Sequence, residues 1–297
     1  MKSNTKNTGA LLIILAGIFW GSMGIFVRKL TEYGFTSIQI TSVRLTLAAI
    51  CFCLILLVRD PGGFRIRSKD LPLFLGLGLC SILFFTVCYF TAITMMSLST
   101  AAILLYTSPI WVMLMSALFF REKTDGKKLL ALVLAFIGCV LVSGLSGGGL
   151  TAAGLLIGLG SGFGYGLYSI LGTLALGRYS PFTVTAYTFL IAAAGSWFIA
   201  PPAGTIRLLS DSPSSGALVL FCLLTAVVTA VVPFLLYTLG LRSTEAGKAA
   251  VLATVEPLVA TLFGITVFSE PLTLSAGLGM LLILSAVILL NVRKGVL

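Results

Sequence analysis

Long apolar runs recur from one end of the chain to the other, separated by short segments that hold most of the charge. Each run is close to the ~20 residues that an α-helix needs to cross ~30 Å of hydrocarbon. The pattern predicts ten spans, near 9–30, 36–58, 71–94, 98–120, 128–145, 151–175, 181–200, 216–240, 246–268 and 273–292. The start, Lys2 and Lys6 ahead of an apolar run from Ala10, has the look of a signal peptide. The run is too long for a signal core and lacks a small-x-small cleavage site, so it is read as the first span. The expected fold class is all-α, a polytopic membrane bundle of ten transmembrane helices.

Composition agrees. Of 297 residues, 58% are hydrophobic and 9% charged, where a soluble domain carries about a quarter charged residues. That is too few to cover a water-facing surface, so lipid is the expected solvent. The net charge of +10 raises the question of a nucleic-acid partner, and the positions of the charges answer it. Fifteen of the 19 Lys and Arg fall on one side of the predicted topology, among them Arg59, Arg65, Arg67, Arg121, Lys123, Lys127, Lys128 and Arg178. Arg28, Lys29 and Arg207 fall on the other side, and Arg44 lies inside a span. The positive-inside rule then places both termini in the cytoplasm of a multi-pass inner-membrane protein. The expected partners are membrane lipid and a small-molecule substrate, with no nucleic acid. The six cysteines all fall in apolar runs and read as small buried hydrophobes. With no histidine and no metal-like cysteine spacing, no metal or cofactor is expected.

The chain repeats itself. Ala101–Pro109 (AAILLYTSP) aligns with Ala249–Pro257 (AAVLATVEP) at an offset of 257 − 109 = 148, which also pairs Glu122 with Glu270 and Tyr89 with Tyr237. Upstream, Trp20-Gly21 matches Tyr165-Gly166 at an offset of 145, and Gly147-Gly-Gly149 marks the join. The expected units are an N-terminal five-helix repeat, 1–146, and a C-terminal inverted repeat, 147–297. Five is odd, so the second copy enters the membrane upside down. Such 5+5 inverted repeats are typical of secondary transporters, with the substrate near the midplane between the halves.

Few polar residues interrupt the apolar background. Pro109 and Pro257 lie about ten residues into the fourth and ninth spans, ~15 Å down at 1.5 Å per residue. Each leaves a carbonyl four residues back, on Leu105 and Ala253, without its helical partner. Glu256 precedes Pro257 and is the one acid expected inside a span. An ionisable group there marks function by default. It could exchange a proton, attract a cation or bind an amine; the structural alternative is a protonated carboxyl bonded to a neighbouring helix. Ser108 holds the matching place in the first half. Arg44 could pair with Glu256, bind a substrate carboxylate or clamp helix-end carbonyls. Trp20, Tyr89, Tyr106, Tyr165, Tyr168 and Tyr237 sit within spans, and with Ser108, Thr254 and Glu256 they form the candidate substrate-binding set. Glycines at 154, 158, 162 and 166 make a ridge suited to close helix approach.

The run Ala249–Val259 with Glu256-Pro257, followed by Phe268-Ser-Glu270-Pro-Leu-Thr273, resembles the second half of EamA-type transporters of the drug/metabolite transporter superfamily. Trp20-Gly21, Arg44, Ser108-Pro109 and Glu122 extend the likeness to the first half. The resemblance implies that spans 1, 3, 4, 6, 8 and 9 enclose a central cavity, that spans 5 and 10 are peripheral, and that access alternates. It points toward the aromatic amino acid exporter branch, which lines its cavity from the pre-proline positions, here Tyr106 and Ser108. Ser108 stands where that branch often carries Trp. The essential first-span Glu of the small multidrug branch has no counterpart here.

The expected function is export of a small metabolite, an amino acid or related amine, coupled to an ion or the membrane potential. Alternatives within the fold are a lipid-linked carrier flippase and a multidrug exporter. No nucleotide-binding loop is present to supply ATP drive. A membrane enzyme would want a Ser–His pair, paired aspartates or a metal; no histidine exists, and Asp60, Asp70, Asp125 and Asp211 are expected in loops. A channel would want charge rings or a carbonyl filter.

Overall fold

The computed structural model describes residues 2–144, 151–211 and 215–291, with residues 2–7 described by backbone only. Among the described residues, ten helical stretches are long and apolar enough to cross a membrane: Thr8–Glu32, Ser37–Arg59, Ser68–Met95, Leu98–Phe120, Gly126–Ser143, Ala152–Leu176, Pro181–Ile199, Ser215–Leu241, Ala246–Phe268 and Leu274–Asn291. The largest displacement from the sequence reading is at the third span, expected from 71 and found from Ser68. The expected join at 146/147 lies outside the described residues.

Side-chain caps set where several spans begin. Thr36 and Gln39 form a reciprocal capping box, and Asp125, Thr151 and Ser180 each accept from the amide three residues on. Each cap satisfies an orphan donor of the first turn. Two spans stop by the same left-handed turn, at Arg121 (φ 53°) and Ser269 (φ 55°), 148 residues apart. The following amides, of Glu122 and Glu270, return to Ser116 and Gly264 at 3.3 and 3.1 Å.

Glycine decides where helices cross closely. The fifth and tenth spans meet at Gly138 and Gly279, where a Cβ on either would come within 2.8 Å of the other's carbonyl oxygen. The second and seventh spans pair through Phe52 and Phe189, ring centroids 5.0 Å apart, and through Ser42 and Ser196. A loop expectation is corrected at Asp70. It opens the third span, is buried, and accepts from Arg178 and from the Tyr179 hydroxyl (2.7 Å). A carboxylate can be buried there because two donors meet it.

Among the described residues, five spans are interrupted. The fourth turns at Tyr106-Thr107 between Leu98–Leu105 and Ser108–Phe120; the ninth turns at Thr254 between Ala246–Ala253 and Val255–Phe268. The third and eighth each widen into π-helical turns, at Gly76–Leu83 and Val227–Val231. Paired interruptions in matching spans are what a duplicated chain predicts. The first span breaks at Ser22, whereas its counterpart, Ala152–Leu176, is unbroken.

Candidate functional site

Both broken helices are seated on glycines of the span that packs against them. Thr107 and Thr254 turn their hydroxyls back onto Leu104 and Val251 carbonyls, each at 2.6 Å. The carbonyls freed by the two prolines face the opposing glycines. A Cβ on Gly162 would lie 3.2 Å from the Leu105 oxygen, and one on Gly17 would lie 3.1 Å from the Ala253 oxygen. One turn on, Gly166 meets the Ser108 carbonyl and Gly21 that of Glu256. Gly17 and Gly162 are 145 apart, as are Gly21 and Gly166, the same offset as the Trp20–Tyr165 match. The first and sixth spans thus cradle opposite breaks by one device, and only a residue without a side chain lets the backbones approach so closely.

Between them lies a narrow cavity with free space of about 20 Å³, room for about one water, lined by Trp20, Ser108, Val112, Tyr165, Gly166, Tyr168, Ser169, Phe234, Tyr237, Ala250 and Ala253. Its wall is aromatic: Trp20 sits edge-on to Phe234 at 5.0 Å and to Tyr165 at 6.1 Å, and lies 5.4 Å from Tyr237. Two buried tyrosine hydroxyls are matched across the sixth and eighth spans, Tyr168 with Thr238 and Tyr237 with Ser169, both at 2.7 Å. These pairs satisfy polar atoms that would otherwise be stranded in an apolar interior.

Glu256 lies beside this cavity, half-buried, and accepts a hydrogen bond from the Tyr165 hydroxyl at 3.0 Å. Its carboxylate interacts electrostatically with Tyr106, Tyr89 and Arg44. Tyr165 therefore belongs to both the cavity wall and the polar cluster. Arg44 is buried, and of its three candidate roles the pairing with Glu256 is not made as an ion pair: Nη1 reaches Met23 Sδ at 2.8 Å and Nε has no partner.

The two membrane faces differ. One carries the basic 59–67 and 121–128 segments and is termed the basic face here. On it, Ser108–Phe120 packs against Ala246–Ala253. The Glu122 carboxylate closes that contact by accepting from the amides of Ala246 (3.1 Å) and Gly247 (3.4 Å), the N-terminus of the ninth span. Lys128 pairs with Glu245 at 2.5 Å beside it. A carboxylate on unpaired first-turn amides satisfies orphan donors and meets the positive end of the helix dipole. Toward the opposite face, Leu98–Leu105 packs on the sixth span and Val255–Phe268 on the first, with Tyr106 and Glu256 half-buried at the two breaks. There Glu270, the counterpart of Glu122, binds Arg28 at 2.5 Å instead, with Arg28 also stacked 4.1 Å from the Phe268 ring.

Of the candidate set, the structure brings Trp20, Ser108, Tyr165, Tyr168 and Tyr237 to one cavity and puts Glu256 and Tyr106 at its edge. Tyr106 packs with Cys139 and Leu258. Tyr89 packs in a separate cluster with Ala92 and Leu104. Thr254 is buried with its proton committed to Val251, so it does not offer a donor to a ligand. Among the lining residues, the candidate set lacked Val112, Gly166, Ser169, Phe234, Ala250 and Ala253. Ser169 follows Tyr168 directly and Phe234 lies one turn from Tyr237, so helical neighbourhood was the available signal.

A bundle of ten apolar spans, two of them broken beside a buried polar cluster, fits the class of membrane transporters. This chain is a member of the EamA-like transporter family, whose profile matches residues 7–144 and again 152–292. Each match covers five of the ten spans. A transporter of Archaeoglobus fulgidus, described as uncharacterized, is 31% identical over 95% of both chains. The inner membrane transporter YicL of Salmonella typhimurium, also described as uncharacterized, is 26% identical over 95% of this chain and 95% of its own. The pseudopaline exporter CntI of Pseudomonas aeruginosa is 28% identical over 46% of each chain. A crystal structure with 16% identity superposes with a TM-score of 0.79 over 96% of both chains, which shows the shared fold. The family and these relatives are transporters rather than enzymes. Membership does not assign the chain to the aromatic amino acid exporter branch.

Proposed function

We propose that this protein exports a small amine-bearing or zwitterionic metabolite of amino-acid size across the cytoplasmic membrane, by alternating access and without ATP. The observation that carries the reading is Glu256: a carboxylate at a helix break, held by a tyrosine rather than a cation, beside an aromatic cavity. An acid kept in the membrane interior without a bonded counter-charge is poised to meet a substrate amine or a coupling proton. The surrounding rings offer flat apolar faces that suit a compact amphiphilic solute. They offer nothing built for a phosphate, which wants several Arg or Lys. The basic face is taken as cytoplasmic on the positive-inside rule, so the Glu122 contact lies on the cytoplasmic side. Relatives described as an inner membrane transporter and as an exporter support location and direction.

The test is transport by the purified protein in liposomes against a metabolite panel. Amino acids and small amines are expected to compete, and sugar phosphates are not; efficient transport of a sugar phosphate would overturn the reading. Orientation is tested by single cysteines. Labels at positions 65 and 125 should react only from the cytoplasm, and one at position 34 only from outside.

A further inference from the structure

We propose that Arg44 and Glu256 form a two-ended clamp for a zwitterion, with Arg44 holding the substrate carboxylate and Glu256 its ammonium group. The proposal rests on the exporter reading above and adds the acidic end of the substrate and the residue that recognises it.

Arg44 sits seven residues into the second span, counted from Ser37, with 6% of its surface exposed. A charge at that depth is expensive, and buried charges are normally paired. This one is not: the ion pairs of the described residues join other side chains. Its Nη1 spends a donor on the thioether of Met23, a weak acceptor, and Nε donates to nothing. An arginine acting as a structural clamp would spend its donors on helix carbonyls, and Arg44 is bonded to none. What remains is a planar fork of donors, the geometry that fits a carboxylate.

The first span brings the two charges to one level. At Gly21 the absence of a side chain seats that span on the Glu256 backbone, where a Cβ would come within 2.8 Å of the carbonyl oxygen. Two residues further on, Met23 touches Arg44. The guanidinium and the carboxylate interact electrostatically with each other and with Tyr165, without closing to an ion pair. A direct bridge would cancel both charges. Held apart, they match a molecule that carries one charge of each sign. Met23 covers Arg44 with an unbranched, flexible side chain that can swing aside for a carboxylate. The alternative ligand chemistry, an amine lacking an acidic group, would leave Arg44 buried and unmatched.

The experiment uses the full-length protein in liposomes, with the L-amino acids as radiolabelled probes. Each amino acid that is transported is then competed with its own carboxamide and its own decarboxylated amine, both lacking the carboxylate. The clamp predicts that amide and amine compete about tenfold less well than the amino acid, since they forfeit a charged hydrogen-bonded pair. Arg44→Gln should lower amino-acid transport and leave acid and amide competing equally. Arg44→Lys, which keeps the charge but not the fork, should fall between. Equal competition by acid and amide in the wild-type protein overturns the clamp while the amine-exporter reading stands. Retained discrimination in Arg44→Gln also overturns it. If no amino acid or amine is moved, the exporter reading itself has failed. The wild-type comparison decides the matter even if a variant does not fold.

Discussion

In the fourth span the helix turns at Tyr106-Thr107 ahead of Pro109; in the ninth it turns at Thr254 ahead of Pro257. Both turns are closed by a threonine hydroxyl, both rest on paired glycines of a neighbouring span, and both helices end in a left-handed residue followed by glutamate. The likeness stops at the side chains that face the interior. Where the ninth span has Glu256, the fourth has Ser108. Where Glu122 caps the opposing helix, Glu270 holds Arg28. Features that satisfy backbone hydrogen bonds are the same in both halves, because hydrocarbon penalises any unbonded amide or carbonyl equally on either side. Side chains at the junction carry no such obligation and have diverged, so chemistry is expected to reside in the differences.

The largest test of that division is Glu256→Gln. Transport should be abolished or uncoupled from an imposed proton gradient, with detergent stability nearly unchanged, and Ser108→Glu in the same chain should not restore it. Normal transport from acid to neutral pH would make Glu256 a structural carboxyl. Next are the shared glycines. Gly162→Val would push a methyl into Thr107 Oγ1 and the Leu104 carbonyl, 2.5 and 2.6 Å from an added Cβ. A loss of about 1–3 kcal/mol is expected from such overpacking, read as a lower unfolding temperature in detergent. Gly17→Val, with nearest contacts at 2.9 and 3.1 Å, should cost less. Equal losses would show that the two cradles are equally tight.

The two glutamates sharpen the comparison further. Glu122→Ala removes the carboxylate from the ninth span's first turn, worth about 1 kcal/mol by analogy with other caps. A cysteine at position 250 should then label from the basic face several-fold faster. Glu270→Ala breaks a pair about half exposed at each end, worth at most about 1 kcal/mol, and should leave that labelling within about twofold. If Glu270→Ala opens the basic face as much as Glu122→Ala does, Glu122 is not a latch. Tyr106→Ala should raise the apparent KM about tenfold through roughly 1–2 kcal/mol of lost contact beside Glu256. The measurement is saturation kinetics in liposomes, and unchanged kinetics would remove Tyr106 from the site.

Much of this architecture was readable in one dimension. Apolar runs announce spans because lipid admits only helices that bond themselves, and the 148-residue echo of Pro109 in Pro257 pairs the fourth span with the ninth. The charge that stands out, Glu256, does so because carboxylates are rare at such depth. Other features had no local sign. That Gly17 and Gly162 each face a carbonyl freed by a proline of another span depends on how helices far apart in the chain cross. That Thr254 spends its proton on its own helix, or that Asp70 is buried under Arg178 and Tyr179, follows from rotamers and neighbours that composition does not specify. Arg44 is the sharpest case. Its depth was legible from the length of the second span, but whether it met Glu256 was settled only by packing, which set Met23 against its fork and held the two charges apart. Hydrophobic periodicity determines which segments enter the membrane, since that is a one-body choice between lipid and water. Which polar groups then meet is a many-body outcome of helix crossings, and only the folded bundle decides it.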